Sequence, residues 1–83
     1  MGLEIAEFMI AVEDTFQVEI FEGEIQGIET LDDLVAWLAK NLATNGRLWS
    51  RESIEKEVLQ LVSKNSWVPV EKISLTKKIV DVF

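Results

Sequence analysis

The chain reads as an all-α protein, a small bundle of three to four helices, and three observations carry that reading. Apolar residues recur at steps of three and four through residues 2–16, 31–42 and 51–63, the spacing that lines one face of a helix. Two of these segments open behind residues suited to capping a helix start, Thr30 and Ser50. The stretches between them hold the turn and breaker residues Gly23, Gly27, Asn45-Gly46 and Pro69.

The first segment, Gly2 to Phe16, places Ile5, Phe8, Met9, Val12 and Phe16 on one stripe, which is predicted to be core. Glu4, Glu7, Glu13 and Asp14 flank the other side, with Leu3 and Ile10 among them. Apolar side chains set inside an acidic patch suit a docking surface. Val18, Ile20 and Phe21 follow in a short extended link, and the glycines of EGEIQGIE limit the next helix to one irregular turn with Ile25 and Ile28 inward. Thr30 and Asp33 have the spacing of a capping box, so a helix starts near Leu31 and buries Leu31, Leu34, Val35, Leu38 and Leu42. Asp32 and Asp33 favour its positive end, Lys40 sits near its close, and Trp37 is predicted to pack while partly exposed.

Residues 43–49 read as a connector, at most about 25 Å long when fully extended. Ser50 then caps a helix over Arg51 to Ser63 with Ile54, Val58, Leu61 and Val62 on its inner face. Lys64 to Ser74 reads as a loop, and Ile73, Ile79, Val80, Val82 and Phe83 are expected to pin the closing segment to the bundle.

Composition narrows the chemistry. At 83 residues the chain buries only about 60–65% of its extended surface, and its 48% apolar content suffices for one core. Without cysteine there is no disulfide and no thiolate metal site, and without histidine the commonest general base is missing too. Paired carboxylates such as Glu22 with Glu24 or Asp32 with Asp33 sit on diverging positions, and no glycine-rich phosphate loop is present. The expectation is a non-enzyme without a metal site. No run reaches the length of a membrane span and no signal peptide is evident, so a soluble cytoplasmic protein is expected.

Charge is distributed unevenly. The net charge is −7, yet residues 1–33 hold ten carboxylates and no Lys or Arg. Such a field opposes binding to nucleic acid and favours encounter with a basic protein surface.

Residues 2–42 resemble the second half of an acyl carrier protein. Leu3-Glu4-x-x-Glu7-Phe8 and Glu13-Asp14-x-Phe16 are similar to the family's second helix, Glu19-Ile20-Phe21-Glu22 to the stretch after it, and Ile28-Glu29-Thr30-Leu31-Asp32-Asp33-Leu34-Val35 to the start of its last helix. Residues 50–83 resemble the family's first half: SRESIEKEVLQLVSKN its first helix, VPVEKIS the opening of its long first loop, TKKIVDV the segment before its Asp-Ser-Leu motif. The likeness spans nearly the whole chain in the wrong order, as in a circular permutant, with residues 43–49 joining the old ends and new ends cut near the modification site. In the family the first helix begins at the end where the last helix stops, so a short link can close them. A domain-swapped dimer, in which residues 50–83 of one molecule complete another, is the alternative to a monomer.

The resemblance implies a partner and a missing cofactor. The family carries phosphopantetheine on the serine of Asp-Ser-Leu, and in register Gly2 stands at that serine and Met1 at the aspartate. Glycine offers no attachment oxygen, so no cofactor is expected. Of the serines present, Ser50 reads as a cap, Ser74-Leu75 follows Ile73 in a loop, and Ser53, Ser63 and Ser66 match no motif. Partner-binding residues carried by the resemblance are Leu3, Glu4, Glu7, Ile10, Glu13, Asp14, Ile20 and Glu22, facing basic surfaces of acyl-chain biosynthetic enzymes. Two readings follow: a docking module that has no prosthetic group, or a carrier of fatty-acid or polyketide metabolism whose serine was lost at an engineered or truncated end. If the likeness is architectural only, a small acidic helical domain, it implies no function.

Overall fold

Among the described residues the chain forms α1 (Leu3–Phe16), α2 (Glu22–Ile25), α3 (Leu31–Thr44), α4 (Arg51–Ser66), a 3-10 turn at Val70–Lys72 and α5 (Ile79–Val82). This computed structural model describes the backbone of residues 3–83 and side chains from residue 4 on. The readings made for Met1, Gly2 and the Leu3 side chain lie outside the described residues. The described part contains no strand, only one isolated bridge between Thr30 and Lys78.

α1 buries the predicted stripe, with Phe8 and Val12 fully enclosed. It ends where Gln17 turns left-handed (φ 55°) and the Val18 N–H donates to the Glu13 carbonyl at 3.2 Å, the bond that closes a helix over an αL residue. α3 buries Leu31, Leu34, Val35, Leu38 and Leu42 as expected. Gly46 closes it at φ 73°, where the Arg47 N–H reaches back to the Leu42 carbonyl at 2.9 Å. Glycine fits here because a side chain is strained in that region.

The Thr30 capping box forms in full. Thr30 Oγ1 accepts from the Asp33 N–H at 3.0 Å, and Asp33 Oδ2 accepts from the Thr30 and Glu29 N–H groups at 3.1 and 3.2 Å. Those two backbone bonds, Thr30 first and Glu29 second, hold the Asp33 carboxyl below its ordinary range. A carboxyl lowered on folding stabilises the protein above the unfolded value near pH 4, and the benefit is lost as pH falls through the lower folded value. Asp33→Asn should therefore flatten the acid side of the stability–pH curve. Thr30→Ala should cost about 1 kcal/mol, measured by urea unfolding at neutral pH.

α4 packs against both α1 and α3, and buried residues from the two halves of the sequence form one cluster. The radius of gyration, 11.8 Å, matches the value of about 12 Å for a compact chain of this length. Ser50 caps α4, its hydroxyl accepting from the Ser53 N–H at 3.1 Å. The helix runs to Ser66, three residues past the expected Ser63, because Lys64, Asn65 and Ser66 continue it until Trp67 turns left-handed. The connector likewise starts later than predicted, since α3 extends through Thr44.

That connector does more than join neighbouring ends. Arg51 in the first turn of α4 pairs with Asp32 in the first turn of α3 at 3.6 Å. Asp32 lies about 18 Å along the helix from Thr44, so residues 45–50 lead the chain back toward the start of α3. The resemblance places the start of α4 beside the end of α3; the pair draws the two opening turns together instead. Midway, the Arg47 guanidinium donates to the Phe16 carbonyl and Trp49 packs on Phe16 with ring centroids 4.9 Å apart. A cation suits the negative end of α1.

The closing segment docks largely as expected. Ile79 is buried, Ile73, Val82 and Phe83 pack against the core, and the Phe83 ring lies 5.2 Å from Phe8. Val80 departs from expectation: it is 65% exposed. α5 is a single turn, and successive residues on a helix point about 100° apart, so with Ile79 inward Val80 faces out.

Candidate docking surface

The helical period decides what α1 displays. With Phe8, Met9 and Val12 inward, positions 7, 10 and 14 fall opposite them. Glu7, Ile10 and Asp14 are all exposed, Ile10 at 56%, and form a ridge about 10 Å long. Glu4 is exposed on one flank. Among the described residues no α1 carboxylate forms an ion pair, the pairs present being Arg51 with Asp32 and with Glu55.

Two predicted contact residues are withdrawn from this surface. Ile20 is half-buried against the core, and its N–H donates to Glu13 Oε2 at 2.9 Å. Glu13, half-buried itself, is thus a bracket holding the link to α1. Glu22 stays exposed at the head of α2. Beside it Phe21 is 62% exposed, where the sequence predicts only a short extended link shared with Val18 and Ile20. Alternation was the available signal: in an extended stretch 18 and 20 share one face and 21 takes the other. Glu24 is structural, accepting the Trp37 indole N–H at 2.8 Å.

An apolar cleft of about 420 Å³ opens between α1, α2 and α5, lined chiefly by Ile5, Met9, Ile25, Ile28 and Ile79, with Glu29 and Lys78 at its edge. Its volume lies within the range of small-ligand sites. No cluster of three or more His, Cys, Asp or Glu residues is positioned to hold a metal ion among the described residues. No described helix is long and apolar enough to cross a membrane. Of the serines, Ser50 is committed to its cap, Ser66 accepts from the Val68 N–H at 3.3 Å, and Ser74 bonds to Thr76 at 2.8 Å.

The fold and surface together describe a small helical bundle with an uncompensated acidic ridge. Compared with known proteins, the chain has no significant match to any family model, curated protein or solved structure.

Proposed function

We propose that the protein is an acyl-carrier-like docking module that works without a prosthetic group. Its α1 ridge engages basic surfaces of acyl-chain biosynthetic enzymes. The observation that carries this reading is the ridge itself: Glu7 and Asp14 bracket an exposed Ile10, and no described cation neutralises them. Carboxylates around a protruding apolar side chain speed encounter with a cationic groove and give the complex an apolar contact. Glu4 and Glu22 extend the field, and Phe21 adds a second apolar contact.

A phosphopantetheinyl transferase supplies the test, because it must bind carriers whether or not it can modify them. The chain is expected to bind it in a salt-sensitive manner and to gain no mass in the presence of coenzyme A. Glu7→Lys with Asp14→Lys should weaken binding by about tenfold or more and flatten the salt dependence, since two attractions become repulsions. Unchanged affinity in the double variant refutes the reading.

A second reading is favoured by the apolar cleft. A carrier of fatty-acid or polyketide metabolism needs an apolar refuge for its cargo, and Ile5, Met9, Ile25, Ile28 and Ile79 line one. A mass increase on any serine would establish this alternative over the first.

A further inference from the structure

Trp67 is 91% exposed, and it holds φ 65° at the close of α4. A side chain other than glycine is strained there, and neither the core nor the ridge uses this indole. Lys64 stands three residues earlier on α4. Just beyond it Val68, Lys72, Lys77 and Asp81 border a small cleft of about 90 Å³. Residues 64–81 hold four lysines against Glu71 and Asp81; Lys72 and Lys77 meet at this cleft, whereas Lys78 borders the cleft between α1, α2 and α5. All four lysines are exposed, and none forms an ion pair among the described residues.

We infer that this basic, aromatic face docks a second copy of the chain, through that copy's acidic ridge of Glu7, Ile10 and Asp14. Charge complementarity selects the occupant: the unpaired cations Lys64, Lys72 and Lys77, which flank the exposed indole along the chain, call for carboxylates around an exposed apolar side chain, and α1 presents that pattern. Exposed Trp in a charged rim is the composition of an interface anchor. The two faces differ, so the contact is heterologous: each copy that joins leaves one ridge and one patch free, and assembly can continue past the dimer. Net charge opposes it at long range while the local pairs favour it. Association should therefore be strongest near about 0.15 M salt, where the long-range repulsion is screened, and weaker at about 1 M.

This goes beyond enzyme docking, which needs the ridge but not Trp67. Sedimentation velocity on the full chain, from micromolar to millimolar concentration, is expected to show mass rising with concentration. Trp67→Gly keeps the left-handed turn without strain, and Lys72→Glu with Lys77→Glu changes exposed residues only. Each should leave the circular dichroism unchanged and weaken self-association by about tenfold or more, while Trp67→Gly leaves transferase binding intact. Mixing the Lys72→Glu/Lys77→Glu chain with the Glu7→Lys/Asp14→Lys chain should restore association. A chain that stays monomeric at millimolar concentration overturns the inference. So does a dimer indifferent to both patch variants, which marks exchange of residues 50–83 between copies. Binding to anionic phospholipid vesicles that Trp67→Gly abolishes, without self-association, would give the patch to a membrane surface and equally overturn it.

Discussion

Phe8→Ala is expected to cost about 3–5 kcal/mol. The ring is fully enclosed and lies 5.2 Å from the Phe83 ring, so truncation empties a site walled by residues from both ends of the chain. A domain of this size has about 4–12 kcal/mol to lose. The variant should therefore lose a large fraction of its stability at 25 °C, and urea unfolding followed by circular dichroism should place its midpoint well below that of the parent chain. Phe83→Ala should cost less because that ring is only half-buried. A double-mutant cycle between the two should show coupling of about 0.5–1.5 kcal/mol. Coupling near zero would mean the closing residue does not rest on α1. A midpoint that rises with protein concentration even in the Lys72→Glu/Lys77→Glu chain, where association through the patch is removed, would assign the contact to a neighbouring molecule.

Much of this core was legible because helix period and cap chemistry are local. Leu31, Leu34, Val35, Leu38 and Leu42 are spaced to meet a core whatever lies opposite, and Thr30 and Asp33 satisfy each other without tertiary help. The parts that were not legible depend on long-range contacts. Glu13 reads as one more solvated carboxylate until Ile20, seven residues on, brings it an N–H group. Polar residues 64–66 read as loop, yet α4 runs on to Trp67, where no glycine announces a stop. The run Ile79 to Phe83 is apolar almost throughout, so its composition does not say which side chain faces out. The candidate ridge was accordingly half visible: Glu7, Ile10 and Asp14 follow from period, whereas the withdrawal of Ile20 and the display of Phe21 follow from how the link is pinned.

Ile79→Ala should cost about 2–3 kcal/mol, while Val80→Ala, its neighbour, should change stability by no more than about 0.5 kcal/mol. Ile79 is 3% exposed and Val80 is 65% exposed. The larger effect comes from what this segment does for α3. The first N–H groups of a helix lack partners within it. In α3 the Leu31 N–H donates to the Lys77 carbonyl at 3.2 Å and the Asp32 N–H to the Leu75 carbonyl at 2.8 Å, while the Ile79 N–H returns a bond to the Glu29 carbonyl at 2.8 Å. Thr30 takes the Asp33 N–H. The carboxy-terminal segment thus completes the cap of a helix nearly fifty residues earlier, with Ile79 as the side chain that anchors it. Loosening that anchor should speed hydrogen exchange at Leu31 and Asp32 relative to Leu38, a local effect a simple cavity would not produce. Equal costs for the two variants would mean α5 is turned about its axis, and unchanged exchange at Leu31 and Asp32 would mean the cap does not depend on Ile79.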